Sequence, residues 1–142
     1  MITERDHKHI ETAIAHAKSS EKVAGARASA VLALRGRIIA FGTNQRKSHP
    51  FQAEYGKNPE AIFLHAEINC IKNALRMGYT VDDLRKATLY VARIKKAGSN
   101  PGDPFIWGMA KPCRNGCQRC IADFGIKRVL YTTNEQKVAI LI

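Results

Sequence analysis

The sequence has no long hydrophobic run, few cysteines and a shortage of acidic residues. No apolar stretch approaches the roughly 20 residues that span a bilayer, and residues 1–9 are too charged for a secretory signal. We therefore expect a cytoplasmic protein that has no membrane partner. Among its 142 residues, 45% are hydrophobic and 25% are charged, which excludes disordered, collagen-like and coiled-coil chains and predicts a single domain over residues 1–142.

The shortage of acidic residues leaves the chain strongly basic. It has 23 Lys and Arg against 12 Asp and Glu, a formal net charge of +11. Such an excess favours an anionic partner. Nucleic acid is therefore one candidate partner, beside small phosphorylated molecules.

The cysteines are too few for a disulfide scaffold, since there are only 4 of them. Three of them lie close together, at Cys113, Cys117 and Cys120. This grouping favours a metal site over disulfide bonds.

Hydrophobic spacing and turn residues predict alternating helices and strands. Helices are predicted over residues 3–20, with Thr3 and Asp6 as a capping box, over about 64–77, with Gly78 as the stop, and from Pro112 to Gly125. Strands are predicted at 28–34, 38–42, 87–93, 127–132 and 137–142, and long loops at 43–60 and 94–111. The pattern predicts an α/β layered domain with one sheet of about five strands. Only residues 133–136 separate the last two strands, so as neighbours they must be antiparallel.

Two short motifs at predicted helix starts carry candidate metal ligands. His65-Ala66-Glu67 begins the second helix, and Pro112-Cys113-Arg114-Asn115-Gly116-Cys117 begins the third. One imidazole and two thiolates leave the fourth tetrahedral position of zinc open to water, which is the catalytic pattern. We expect Cys113 and Cys117 on one face of the helix, in its first turns, where the helix dipole favours thiolates.

Glu67 is the candidate proton carrier of this site. Because residues two apart do not share a helix face, Glu67 is not expected as a fourth ligand beside His65. A carboxylate near the metal-activated water can take its proton and return it to a substrate.

These motifs resemble the zinc-dependent cytidine and deoxycytidylate deaminase superfamily, whose signature is H-x-E followed by P-C-x-x-C. The resemblance extends over nearly the whole chain, from Phe41-Gly42-Thr43-Asn44 through Ala87-Thr88-Leu89-Tyr90-Val91 to Gly125-Ile126-Lys127-Arg128-Val129-Leu130-Tyr131. It implies a three-layer α/β fold, with a mixed five-stranded sheet and helices on both faces. It further implies bound Zn²⁺ and hydrolytic deamination of a cytosine base. The family's G-x-N segment implies that Asn44 contacts the sugar or base, and the backbone of Ala66 is a candidate for the base carbonyl.

The cysteine spacing departs from the family signature, because three residues separate Cys113 from Cys117 instead of two. Pairing Cys117 with Cys120 restores the usual gap but loses the preceding proline. We predict His65, Cys113 and Cys117 as the ligands, with Cys120 as the alternative to Cys113.

The substrate candidates are a pyrimidine nucleotide or nucleoside. Arg46 and Lys47 follow Asn44, which favours a phosphorylated substrate such as deoxycytidylate. Phe105 and Trp107 either anchor a glycine-rich loop to the core or stack on the pyrimidine, and the sequence does not choose between these roles.

Two other functions compete with this prediction. The net charge of +11 and the two long loops suit a deaminase that edits cytosine or adenine in single-stranded DNA or RNA, although the short final turn leaves no room for a crossover helix. A structural zinc module is the non-enzymatic alternative, and Glu67 argues against it. The apolar last strand, Val138–Ile142, predicts a homo-oligomer that covers this sheet edge.

Overall fold

The structure is a computed structural model that describes residues 2–19, 27–45, 65–98, 100, 102–113 and 116–141. The elements are α1 (Glu4–Ser19), β1 (Arg27–Leu34), β2 (Arg37–Thr43), α2 (Ala66–Arg76), α3 (Val81–Arg85), β3 (Thr88–Lys96), β4 (Phe105–Gly108), α4 (Cys117–Asp123), β5 (Arg128–Thr132) and β6 (Val138–Leu141). This succession confirms the predicted α/β class. In the described ranges, every helix is too short or too polar to cross a bilayer.

The strands form one mixed sheet in the order β2-β1-β3-β5-β6. β3 and β5 are parallel, and the other neighbouring pairs are antiparallel, including β5 with β6. The predicted mixed sheet with an antiparallel final pair is therefore confirmed, although the sheet has six strands and not five.

A sixth strand, β4, pairs with the second half of β3 outside this path. The prediction of an irregular loop over residues 94–111 was wrong here, because β3 continues to Lys96 and β4 covers Phe105–Gly108. β4 has only four residues between glycine- and proline-containing segments. Its strand conformation depends on pairing with β3, so a local hydrophobic pattern does not reveal it.

Helices cover both faces of the sheet, as predicted. Successive strand residues point to opposite faces. Leu32 and Leu89 thus join the core beneath α2, and Val31 and Tyr90 join the core beneath α1. The sheet therefore separates two hydrophobic clusters.

The first helix begins with the predicted capping box. The backbone N–H of Thr3 donates to Asp6 Oδ2 at 2.8 Å, and the backbone N–H of Asp6 donates to Thr3 Oγ1 at 3.2 Å. These bonds satisfy amides that lack partners inside the helix. The helix then buries Ile10, Ala13 and Ile14 against the sheet.

The predicted glycine turn joins β1 and β2. Ala33 pairs with Ile38 and Leu34 with Arg37, which leaves a two-residue loop of Arg35 and Gly36. Both loop residues have positive φ, 54° and 81°, as a type I′ turn requires. This turn matches the right-handed twist of the strands.

α2 packs closely on the end of β2. A Cβ atom on Gly42 would lie 2.5 Å from the backbone nitrogen of Cys70 and 3.0 Å from the carbonyl oxygen of Ala66. Only glycine permits this approach between strand and helix. The contact places the first turns of α2 beside the end of β2, near the start of β1.

The predicted third helix starts later than expected. α4 begins at Cys117, with Gly116 as its N-cap, so Pro112 and Cys113 precede the helix. The expectation that both cysteines occupy helical turns was therefore wrong for Cys113. A proline is favourable at a first helical position, but it does not require a helix to follow.

Buried Thr132 connects three segments at the far end of β5. Its Oγ1 donates to the Gly108 carbonyl at 2.8 Å and accepts from the Arg93 backbone N–H at 3.1 Å. Its carbonyl accepts from the Ala110 backbone N–H at 2.9 Å. Thr132 thereby holds β3, the end of β4 and the segment that leads to Cys113.

Candidate metal centre

Three metal-ligating side chains come together on the α2 side of the sheet. The ligand atoms of His65, Cys113 and Cys117 all lie within 4.8 Å of one another. Among the described residues, this is the only group of three or more such side chains at that spacing. The structure thus assembles the three side chains that the two motifs predict.

Helix starts position two of these side chains. His65 is the N-cap of α2 in an extended conformation, with φ −74° and ψ 151°, and its Nδ1 lies 3.3 Å from Cys117 Sγ. Cys117 is the first residue of α4. Two amide-rich helix ends therefore point toward one small volume, where they stabilise negative charge.

Cys113 approaches from the segment before α4. Its Sγ accepts the backbone N–H of Cys117 at 3.1 Å, and its carbonyl accepts the backbone N–H of Gln118 at 2.9 Å. The side-chain hydrogen bond with Cys117 is the main cause that lowers the pKa of Cys113 to about 3, with further help from His65. Cys113 is therefore a thiolate at neutral pH.

The pKa of Cys117 is shifted in the opposite direction. Its hydrogen bond to Cys113 and its burial raise this pKa above the usual range, and neighbouring Glu67 adds to the effect. A raised pKa favours the thiol form of Cys117 beside the Cys113 sulfur. A cation at the centre of the group favours the loss of this proton.

The donor set fits zinc. One imidazole nitrogen and two cysteine sulfurs are ligands that Zn²⁺ prefers, and three protein ligands leave one tetrahedral position for a reactant. Cys117 is fully buried, while Cys113 and His65 are partly exposed. The residues could therefore hold zinc with an open side that a substrate can reach.

Glu67 lies beside this group in the first turn of α2. Only 8% of its surface is exposed. Burial raises the pKa of its carboxyl above the usual range, and the side chain also hydrogen-bonds with Cys117. Burial therefore favours the protonated form of a carboxyl that lies next to candidate metal ligands, which suits it to give and take a proton.

Cys120, the alternative ligand, belongs to the hydrophobic core. It is fully buried in the cluster beneath α2 and is absent from the group of ligand atoms that the described residues form. The geometry therefore favours the register with Cys113 and Cys117.

Asn44 lies directly after β2 and joins it to the start of β1. Its Oδ1 accepts the backbone N–H of Ala28 at 3.0 Å, and its backbone N–H donates to the Ala28 carbonyl at 3.1 Å. Ala66 is buried in the first turn of α2, beside Gly42. The predicted substrate contacts Arg46 and Lys47 lie outside the described residues.

Trp107 is not brought to the metal centre. It pairs with Ile94 on β4 and packs against the cluster beneath α1, whereas Cys113 and Cys117 belong to the cluster on the other face. Phe105 packs on the same face as Trp107. Of the two roles left open for these aromatic residues, the structure favours the loop anchor.

Asn69 is a residue that sequence reasoning missed. It is 2% exposed, and its Nδ2 donates to the Thr43 carbonyl at 3.0 Å, next to Asn44. Within the described chain its Oδ1 has no hydrogen-bond partner. The available signal was a second asparagine one turn later, since Asn73 Nδ2 donates to the Phe41 carbonyl of the same strand at 2.8 Å.

Comparisons with known proteins identify the family. The family model "Cytidine and deoxycytidylate deaminase zinc-binding region" matches residues 3–133. The chain therefore belongs to this family, and its zinc-dependent deaminase chemistry follows at that level. A search of curated protein sequences gave no significant match.

Solved structures share the fold at low sequence identity. Cytidine deaminase from Burkholderia pseudomallei is 17% identical with a TM-score of 0.63, and the alignment covers 95% of this chain and 90% of that one. The apo dCMP deaminase from cyanophage S-TIM5 is 21% identical with a TM-score of 0.56, covering 94% and 86% of the two chains. The same enzyme in complex with dCMP and dUMP is 20% identical with a TM-score of 0.56, covering 94% and 84%.

Proposed function

We propose that this member of the cytidine and deoxycytidylate deaminase family catalyses the hydrolytic deamination of cytosine in a mononucleotide. Deoxycytidylate is the proposed preferred substrate. The observation that carries the proposal is the grouping of His65, Cys113 and Cys117 within 4.8 Å, with buried Glu67 beside them. A structural zinc module has no use for a carboxyl at this position.

His65, Cys113 and Cys117 would hold the zinc ion. Zinc bound there supplies Lewis acidity that activates water for attack on C4 of the cytosine ring. Glu67 would accept one proton of that water and deliver it to the ring nitrogen. It would then pass the second proton, from the new C4 hydroxyl, to the amino group, which leaves as ammonia while the C4 carbonyl forms. Its burial favours the protonated carboxyl, so Glu67 can act as an acid after it has acted as a base.

The start of α2 would orient the base. The backbone amide of Ala66 belongs to the helix end beside Glu67, where amides favour an acceptor such as the base carbonyl. Asn44 would contact the sugar or the base from the end of β2. Asn69 supports that segment through the Thr43 carbonyl.

Three observations favour a phosphorylated mononucleotide over a bare nucleoside. Arg46 and Lys47 follow Asn44 in the sequence, and the chain carries a net charge of +11. In addition, the cyanophage relative with the same fold was crystallised with dCMP and dUMP. Cytidine therefore serves as the comparison substrate.

The test is a substrate panel with the zinc-loaded protein. Ammonia release is measured with cytidine, deoxycytidine, CMP, dCMP, adenine and guanine nucleotides, and short single-stranded DNA and RNA. We expect the highest kcat/KM with dCMP. A higher value with an oligonucleotide, with binding that falls steeply as salt increases, would instead establish the editing alternative.

The variant Glu67→Gln tests the role of the carboxyl. We expect full zinc content and a loss of ammonia release by at least about 100-fold, the lower range for a proton-transfer group. Unchanged turnover in Glu67→Gln would remove this residue from the mechanism. No ammonia from any substrate of the panel with zinc bound would overturn the proposed function itself.

We also propose a homo-oligomer. β6 ends the sheet order, and Val138, Ile140 and Leu141 are only partly buried. An apolar edge strand is a liability unless another chain or element covers it. Sedimentation equilibrium gives the mass directly, and a monomer at all concentrations would contradict this proposal.

A further inference from the structure

A basic cavity lies at the end of the sheet opposite the candidate metal centre. It has a volume of about 240 Å³ and is lined chiefly by Arg5, Asp6, His9, Arg35, Lys86 and Arg128. These residues come from the start of α1, the β1–β2 turn, the end of α3 and the start of β5. None of them belongs to the metal centre.

The strand register establishes the separation of the two sites. The cavity includes Ala33 and Thr88, which pair where β1 ends and β3 begins. The metal centre lies at the opposite end of the sheet, near the last residues of β2 and β5. Gly42 in β2 contacts Ala66, which follows His65, and Thr132 at the end of β5 accepts a hydrogen bond from Ala110, which shortly precedes Cys113. The cavity also opens on the α1 face, and the metal centre is on the α2 face. The cavity is therefore not part of the proposed deaminase site.

The charges around the cavity favour an anion. Four cationic side chains face one carboxylate, and that carboxylate is already occupied, because Arg128 donates to Asp6 Oδ1 at 2.8 Å and to Oδ2 at 2.7 Å. Arg5, Arg35 and Lys86 form no ion pair with an acidic residue of the described chain. Asp83 lies near Lys86 and Arg35, but it caps α3 by accepting the backbone N–H of Thr80.

His9 provides a second, independent observation. It is 8% exposed and lines the cavity, and its Nε2 has no hydrogen-bond partner among the described residues. The backbone of Gly36, which also lines the cavity, interacts with the ring, and the unpartnered Nε2 leaves this contact to Nδ1. A buried polar atom without a partner is costly, so an unpaired nitrogen on a ring that lines the cavity indicates a ligand that contacts it.

The tautomer of His9 specifies the kind of anion. When Nδ1–H donates to the Gly36 carbonyl, the neutral ring presents Nε2 as an acceptor. A fully deprotonated anion offers Nε2 only acceptor oxygens, so two lone pairs would face each other without a hydrogen bond. An oxyanion that retains one proton can donate this proton to Nε2 and accept hydrogen bonds from the arginines and the lysine with its other oxygens.

We propose that this cavity is a second ligand site, which binds a protonated oxyanion of the phosphate class. Its volume is below the roughly 300–1,000 Å³ that is typical for sites of drug-sized ligands. Inorganic phosphate fits this chemistry, since it keeps at least one proton at neutral pH. Sulfate has the same tetrahedral shape but keeps none, so it serves as a matched probe.

The test measures binding of inorganic phosphate and of sulfate to the full-length, zinc-loaded protein by isothermal titration calorimetry. We expect saturable binding of phosphate with at least about 10-fold preference over sulfate, the size expected from a charge-assisted hydrogen bond. Amide chemical shifts on phosphate addition should change around Gly36, Arg35 and His9. Changes confined to residues of the metal centre would overturn the proposal, as would the absence of saturable binding.

Exposed residues supply the first variant. Arg35→Gln/Lys86→Ala removes two positive charges from the cavity, and we expect at least about 10-fold weaker phosphate binding. The control Lys18→Ala/Lys127→Ala removes two exposed positive charges elsewhere and should stay within about 2-fold, since separated surface charges act weakly. Equal losses in both variants would reduce the effect to net charge and overturn the site.

The variant His9→Phe tests the acceptor. Phenylalanine preserves the contact of the His9 ring with Tyr90, whose ring centroid lies 5.1 Å away, and removes Nε2. We expect the preference for phosphate over sulfate to disappear. A retained preference would exclude His9 as the selecting group. Because binding is the readout throughout, these outcomes do not depend on deaminase activity.

Discussion

The sulfur of Cys113 accepts a hydrogen bond of 3.1 Å from the backbone N–H of Cys117, the first residue of α4. This bond links the segment before the helix to the helix end. It forms although the intervening residues exceed the usual family gap by one. The longer spacing is therefore compatible with both sulfurs facing His65.

We predict that Cys113→Ala abolishes stable zinc binding while Cys120→Ala retains it. Removal of a direct ligand should exceed the roughly 10–100-fold loss of affinity that follows loss of an outer hydrogen-bond partner. Cys120→Ala should cost only about 1 kcal/mol of stability, as an ordinary core substitution. Metal analysis after dialysis measures both, and the reverse result would assign the ligand role to Cys120.

We predict that Gly42→Ala destabilises the fold by about 1–3 kcal/mol, the usual cost of overpacking. The new Cβ would lie 2.5 Å from the Cys70 nitrogen and 2.9 Å from the Asn69 carbonyl carbon, which are backbone atoms that cannot rotate away. Urea unfolding of the two proteins gives the difference.

Gly102→Ala is the matched control for this substitution. A Cβ at Gly102 would meet nothing within 4 Å. We expect a change within about 0.5 kcal/mol, as for ordinary surface positions. An equally stable Gly42→Ala protein would show that α2 does not need the glycine.

We predict that Asp6→Asn lowers the free energy of unfolding by about 1.5–3 kcal/mol, toward the lower end because Arg128 is partly solvated. Asp6 accepts two bonds from Arg128 and one from the Tyr90 hydroxyl, and it also caps α1. The control Asp82→Asn breaks an ion pair whose side chains are 78% and 59% exposed, and should change stability by less than about 1 kcal/mol. Equal effects of the two substitutions would contradict the structural role of Asp6.

The same carboxylate makes stability depend on pH. The Arg128 guanidinium holds the pKa of Asp6 well below its usual range in the folded protein. The unfolded chain therefore binds the proton more readily, and the stabilisation is complete above the unfolded pKa of about 4 and is lost as pH falls toward the folded pKa. Urea midpoints between about pH 5 and pH 2 should decline less steeply for Asp6→Asn than for the unmodified protein. Parallel declines would contradict this assignment.

Local patterns predicted the elements whose signals lie close together in sequence. Thr3 and Asp6 mark the start of α1, because their hydrogen bonds join residues only three positions apart. Arg35-Gly36 marks the hairpin turn, because the two strands that it joins are adjacent in sequence and pair with each other. The same capping pattern occurs at Thr80 and Asp83, where it begins the five-residue helix α3. That helix was not predicted, although its signal matches that of α1.

Other features depend on distant parts of the chain and have no local signal. β4 is a strand because it pairs with β3, and Asp6 meets Arg128 across 122 positions. In the candidate metal centre, the grouping of His65, Cys113 and Cys117 was predictable from paired motifs, since ligand chemistry limits the residue types. The face of the sheet on which Trp107 lies could not be predicted, because a short strand among glycines shows no clear alternation of hydrophobic and polar residues.

The two side-chain hydrogen bonds of Thr132 restrict which residues can replace it. Serine keeps a hydroxyl that can both donate to Gly108 and accept from Arg93, whereas valine keeps the shape and loses both bonds in a fully buried place. The position of the segment that leads to Cys113 therefore depends on a side chain that belongs to neither motif. Among natural variants of this chain, we expect position 132 to alternate between threonine and serine.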